Sequence, residues 1–160
     1  MNICSSAPNA ITSPWSFLPP PAIQVSTQLD VNTNYQQITK DFIEKFANSC
    51  ILGMSCTSQH YNADSKISLH IRQNSTNQSQ LHELVGQGNL RTKLADIGIY
   101  IIKHYNLNYT CQPVGKKSIL ITLYGKAEIN INQLDMLHTF LIEINNGSPK
   151  ITNHMMNIFF

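Results

Sequence analysis

The stretch Cys111-Gln-Pro-Val-Gly-Lys-Lys-Ser-Ile-Leu-Ile-Thr-Leu-Tyr-Gly-Lys-Ala-Glu128 decides how this chain is read. Its centre, Ser118 to Tyr124, is a short apolar and β-branched run between Lys116-Lys117 and Gly125. That length and composition predict a strand. Successive side chains of a strand point to opposite faces. Ile119, Ile121 and Leu123 therefore share one face, and Leu120, Thr122 and Tyr124 the other. Both sets are apolar, whereas a strand with water on one side alternates with polar residues. This strand needs cover on both faces.

Working outward, the chain beyond Glu128 predicts a turn around 130–132, a strand from Met136 to Ile144, and a last strand from Lys150 to Phe160. The Asn-Gly pair in Asn145-Asn-Gly-Ser148 is a strong hairpin signal between them. Upstream, Tyr105 to Thr110 begins a strand by alternation. Leu90, Leu94, Ile97 and Ile101 form the stripe of a helix starting at Gly88-Asn89 and ending near His104. Before it come a polar segment, Gln73 to Gln80, expected as an exposed loop, and a short apolar patch, Leu81 to Val85. Lys66 to Ile71 alternates as a half-buried strand.

The clearest helix is Tyr35 to Asn48, with Tyr35, Ile38, Phe42 and Phe46 on one stripe. Cys50 to Tyr61 reads as a shorter second helix interrupted by Gly53. Residues 1–33 form an expected N-terminal arm, flexible or strapped on the domain, whose Ser13–Pro21 segment is proline-rich. Trp15, Phe17 and Leu18 in that arm also fit a short docking motif. The domain proper is then 34–160. Helices come early and a strand meander late, which indicates an α+β fold. Three helices can cover one face of such a sheet, but hardly two.

Composition narrows the function classes. The 160 residues fit one domain with an appendage, and 42% hydrophobic residues suffice for its core. A net charge of +2 with scattered Lys and Arg argues against nucleic acid as a direct partner. No apolar segment approaches a membrane span, and no charged-then-apolar leader opens the chain. The expectation is an intracellular protein. Cys4, Cys50, Cys56 and Cys111 show no disulfide framework, and the Cys50, Cys56, His60 spacing lacks the second cluster of a structural zinc site. No metal or cofactor is expected. Gly86-Gln-Gly88 is not a phosphate loop, because Lys and Ser/Thr do not follow it.

Several local matches occur in one order: Asp41-Phe-Ile-Glu-Lys-Phe46, then Tyr61 and a strand beginning at Ser65, then Gly88 with Leu90 and Leu94. Cys111-Gln-Pro-Val114, Ser118 to Gly125 and Thr152-Asn-His-Met-Met156 follow. Together they resemble the nuclear transport factor 2-like family over residues 35–160. The resemblance implies a curved antiparallel sheet wrapped around three helices, a cone with an inner cavity. It implies homo- or heterodimers through the outer sheet face in the transport branches, and catalysis in the cone in the isomerase and dehydratase branch. The family's GTPase carriers use acidic residues after the glycine-ending strand and a Trp-Glu pair on the first strand. Here those places hold only Glu128, and Leu69 with His70.

The resemblance therefore implies a non-enzymatic, dimerising nuclear transport or mRNA-export cofactor, found in nucleus and cytoplasm. Its partner would be a second copy or another protein of the same fold, with nuclear-pore Phe-Gly peptides or an export receptor as further contacts. Leu120, Thr122, Tyr124 and Met155 are the expected interface, joined by Leu137, Thr139 or Leu141 if their parity matches. An exposed sheet face this apolar needs a partner sheet or the arm over it. The alternatives are a small-molecule binder or isomerase/dehydratase-type enzyme using the cone cavity, and a scaffolding module without a transport role. For the enzyme, His138 with Tyr61 is the candidate acid–base pair. A strand histidine among Met136, Leu137, Phe140 and Leu141 is more often a hydrogen-bonded core or interface residue.

Overall fold

The computed structural model describes residues 31–73 and 76–160, with side chains from residue 34 onward. Helix α1 spans Val31–Leu52, followed by a 3-10 helix at Met54–His60. Strands β1 (Tyr61–Gln73) and β2 (Gln78–Val85) come next, then α2 (Gln87–Asp96). Four strands complete the chain: β3 (Lys103–Val114), β4 (Ser118–Ile129), β5 (Asn132–Asn145) and β6 (Ser148–Phe159). The expected arm, with its Trp15 motif, falls almost wholly outside the described residues.

The six strands form one sheet in the order β2-β1-β6-β5-β4-β3. Every neighbouring pair is antiparallel except β1 with β6, which run parallel. Three helices and a curved, unclosed sheet make this the α+β cone that the sequence predicts. The expected hairpin at 145–148 is present, with Asn146 and Gly147 both at positive φ. Asn and Gly tolerate that left-handed region, and two such residues in succession match the right-handed twist of the strands they join.

α1 buries Phe42, Phe46 and Cys50 four residues apart, one face of a helix. It does not stop at Asn48. The Cys50 carbonyl at its C-terminal end accepts hydrogen bonds from Gly53 N (3.3 Å) and from Ile102 N (3.2 Å). These partners satisfy a carbonyl that a helix end would otherwise leave open. The second helix consequently starts at Met54 rather than Cys50, and it is a tight 3-10 turn.

Three expectations are corrected. Gln73–Gln80 is not one exposed loop: β1 runs to Gln73 and β2 starts at Gln78, so most of that polar segment is hairpin. Polar residues there occupy an edge, where a strand needs little apolar cover. The helix expected to reach His104 ends at Asp96. Gly98 at φ 78° lets its own N–H bond to Ala95 O (2.9 Å) while Ile99 N bonds to Leu94 O (2.8 Å), the paired closure of a left-handed C-cap. Ile97 and Ile101 are therefore exposed, and Ile99 and Ile102 are the buried residues. Finally, β4 does not end at Gly125 but continues to Ile129.

Parity in β4 is as predicted. Ile119, Ile121 and Leu123 are each 0% exposed and face the helices with Ile67, Leu69, Phe140 and Met156. Burial of a side chain of this kind contributes about 1.5–3 kcal/mol, so this inner face carries the fold.

Candidate functional site

The other face of the sheet carries an apolar band along β4 and β5, extended onto β6 by Met155. Leu120 on β4 pairs with Leu141 on β5, Thr122 with Thr139, and Tyr124 with Leu137. Met155 on β6 pairs with Thr139 from the other side. The parity that the sequence left open is thus settled: Leu137, Thr139 and Leu141 all join Leu120, Thr122, Tyr124 and Met155. Cross-strand partners like these sit with Cβ atoms about 4.5–5.5 Å apart, so the set is continuous. The helices pack on the opposite face. Among the described residues nothing lies over the band, and Tyr124 and Met155 remain 47% and 50% exposed. At one end the band meets ion pairs, Lys126 with Asp135 at 2.6 Å and Lys103 with Glu128 at 3.9 Å.

Directly behind that band lies a row of aromatic polar groups. Tyr61 Oη is 2.8 Å from His154 Nδ1, His154 Nε2 is 2.9 Å from His138 Nδ1, and His138 Nε2 is 3.1 Å from His104 Nε2. The order follows from strand parity. His138 alternates with Leu137 and Thr139, and His154 alternates with Met155, so both rings point inward. β4 lies between β5 and β3, and on this face it carries Gly125 and Ala127. These small residues leave room for His104 of β3 to reach His138 across it.

Rings fill the surrounding space. Phe140 stacks on His154 at 4.4 Å and on His138 at 5.4 Å, and Phe46 meets both imidazoles edge-on at 6.0 Å. Burial without a counter-charge disfavours the imidazolium form. It lowers His138 well below the ordinary histidine range, helped by the neighbouring His104 and His154. By desolvation it also brings His154 down to about 3 and His104 to about 4. The same burial raises the Tyr61 phenol well above its usual value. All four groups are neutral at pH 7.

The sequence-predicted pair is thus brought into one row but not into contact: His154 stands between Tyr61 and His138. His138 is 2% exposed. A general acid or base must come within hydrogen-bond reach of a substrate atom, and these rings enclose His138 instead. His154 and His104 were missed. A signal for the inward face of His154 was available, since it alternates with Met155; His104 carried no such signal, because the helix was expected to extend over it.

A second polar cluster is closed in a different way. Ser49 Oγ donates to Lys45 O (2.8 Å) and accepts from Gln59 Nε2 (3.2 Å), and His60 Nε2 lies 2.8 Å away. With the hydroxyl proton committed to a carbonyl, His60 Nε2–H is the donor of that contact. Ser49 has neither a free proton nor a base to take it, so the pair is not an activated nucleophile. A cavity of about 200 Å³ opens beside Ile71, Ile97 and Phe160, with Gln73, Gln78 and Gln80 as its polar lining. No lining residue is an acid or a base. Among the described residues no cluster of His, Cys, Asp or Glu could hold a metal ion, and no helix is long and apolar enough to cross a membrane.

No protein-family model matches the sequence. An uncharacterised protein, L295, of Acanthamoeba polyphaga mimivirus is 25% identical over 136 residues, covering 82% of this chain and 68% of that one. Among solved structures, nuclear transport factor 2 from Cryptosporidium parvum superposes with a TM-score of 0.62 at 18% identity, over 79% of this chain and 96% of that one. The Mtr2–Mex67 M domain complex of C. albicans gives 0.61 at 13% identity, over 78% and 94%. A putative scytalone dehydratase from Novosphingobium aromaticivorans gives 0.62 at 11% identity, over 81% and 87%. A nuclear transport factor, the Mtr2–Mex67 complex and a putative dehydratase thus share one architecture with this chain. Element order, the parallel β1–β6 pairing and these superpositions agree: the chain adopts the nuclear transport factor 2-like fold.

Proposed function

We propose that this is a non-enzymatic protein-interaction domain, a dimerising nuclear transport or mRNA-export cofactor that binds a partner sheet through its outer face. The observation that carries this reading is the uncovered band of Leu120, Leu137, Leu141, Tyr124 and Met155 around the central Thr122–Thr139 pair. A contiguous apolar face of this kind on a soluble chain marks an interaction site. Two sheets packed face to face bury such residues between them. The partner is a second copy or another protein of the same fold. The similarity to nuclear transport factor 2 and to the Mtr2–Mex67 M domain complex supports the reading, which also makes the protein nucleocytoplasmic.

Interior chemistry points the same way. An enzyme of the isomerase or dehydratase type works from an acid or base exposed to the cone cavity, whereas here the candidate imidazole is enclosed by Phe46, Phe140 and two further imidazoles. The test is size-exclusion chromatography with light scattering, on the chain alone and after capture of a partner from the source cell. A dimer, or a complex with a same-fold partner, is expected. Tyr124→Glu puts a charge on the exposed face and should dissociate the complex while leaving the circular-dichroism spectrum unchanged. A chain that is monomeric and binds no partner overturns the reading.

A further inference from the structure

The imidazole row and the outer face are two sides of the same strands. His138 lies between Leu137 and Thr139 in sequence, and His154 directly precedes Met155. Whatever moves the inner rings therefore moves residues of the band. We propose that the row is an acid-released latch behind the docking face: proton uptake by these imidazoles loosens β5 and β6 and so disperses the surface on which a partner sits. This rests on the docking reading above.

The geometry shows why the row holds when neutral and fails when charged. A neutral imidazole has one N–H and one lone pair. The row can be written with Tyr61 donating to His154, His154 to His138, and His138 to His104. In that arrangement every internal contact joins a donor to an acceptor, and only His104 Nδ1, buried with no partner, is left over. One added proton makes some imidazole donate from both nitrogens. The contacts on its two sides then point away from it. Donors without acceptors now stand at both ends, at Tyr61 Oη and at His104 Nδ1. A second proton forces two donors together across a contact of about 3 Å, with two like charges in one buried row.

Nothing nearby compensates. The titratable groups facing the row are Tyr61 from β1, Cys50 from α1 beside that phenol and, across Phe46, His60 from the 3-10 helix. Lys45 and Lys150 lie near His60 and add positive charge. β4 presents Leu123, Gly125 and Ala127. Among the described residues no carboxylate hydrogen-bonds or ion-pairs with any member of the row. An imidazolium formed here is a buried charge without a counter-ion, and it is relieved by opening the strands to water.

Amide hydrogen exchange of the full chain, followed by NMR at pH 7.5, 6.0 and 5.0 and corrected for intrinsic rates, tests the latch. Each imidazole that becomes accessible on opening should reduce protection by about 30-fold between its ordinary pKa and pH 5. The loss should be largest in β5 and β6, and His138→Gln combined with His154→Gln should remove that extra pH dependence. Protection in β5 and β6 that is unchanged at pH 5, or that falls no more than in edge strand β2, which carries no member of the row, overturns the proposal. If the double variant does not fold, the wild-type series alone decides. Light scattering at the same three pH values separates the two readings. A monomer at pH 7.5 refutes the docking face while the exchange data still judge the row. A complex that survives at pH 5 after β5 and β6 have lost protection refutes the latch alone.

Discussion

A Cβ placed on Gly125 would stand 2.9 Å from the carbonyl oxygen of Asn106 and 3.1 Å from that of Tyr105. The cause is a bulge in β3 between Tyr105 and Asn108, with Asn106 at φ 52°, which pushes the β3 backbone onto β4. The glycine inside this strand marks a close approach of two backbones rather than an end. Gly125→Ala forces backbone against backbone and should destabilise the fold by about 1–3 kcal/mol. The midpoint of urea denaturation would show it.

Acid stability has a definite sign. Burial puts His104 at about 4 and His154 at about 3, below the ordinary histidine value near 6.5. The unfolded chain therefore binds more protons than the folded one between these limits. Stability is full above pH 6.5 and falls as the pH drops toward 4. At pH 5 each such imidazole costs about 2 kcal/mol relative to neutrality. Chemical denaturation at pH 7.5, 6 and 5 should give a monotonic loss, and a flat profile would contradict the buried, neutral row.

Tyr61→Phe removes the hydroxyl that meets His154 Nδ1 and leaves that nitrogen buried and unpaired. The expected loss is about 1–3 kcal/mol. The ring itself still fills its space, so a variant as stable as wild type would show that the contact is weak.

Gln87 ties the start of α2 to the 3-10 helix through its Nε2, which donates to Thr57 Oγ1 at 3.0 Å and also to Met54 O. Gln87→Ala leaves two buried acceptors without that donor. It should cost about 1–3 kcal/mol, and exchange rates in α2 should rise before those of β4.

Thiol reactivity divides by burial. Cys50 is buried and its thiol is pushed up to about 12, whereas Cys56 is exposed. The thiolate is the reacting form. An alkylating reagent at pH 8 should modify Cys56 quickly and Cys50 only after denaturation, with peptide mapping as the readout. Early labelling of Cys50 would mean that α1 is not seated on the sheet.

The elements legible in the sequence were those with a strong period or a strong turn. Tyr35, Ile38, Phe42 and Phe46 repeat at helical spacing, Ile119 to Leu123 alternate, and Asn146-Gly147 favours one hairpin geometry. What was not legible depended on distant partners. β2 looked like a loop because its polar residues lie at a sheet edge. Ile97 and Ile101 continued a helical stripe that Gly98 ends by a local cap. At the site, Leu120, Thr122 and Tyr124 could be placed on one face from parity alone, and Met155 joined them only through the register of the resembled family. The histidine row could not. It joins residues from β1, β3, β5 and β6, and only the register between strands brings their rings within hydrogen-bond distance.

The parallel contact of β1 with β6 carries a consequence for how the protein is made. Ser65 Oγ, near the start of β1, donates to Ile151 O on β6, 86 positions later in the chain. During synthesis, α1, β1 and β2 leave the ribosome with one flank of β1 unpaired, and that flank waits for the last strand. Contacts this far apart are slow to form, and open strand edges associate with other chains meanwhile. Nascent chains halted before Ser148 should therefore bind chaperones and resist no protease, however well their helices form.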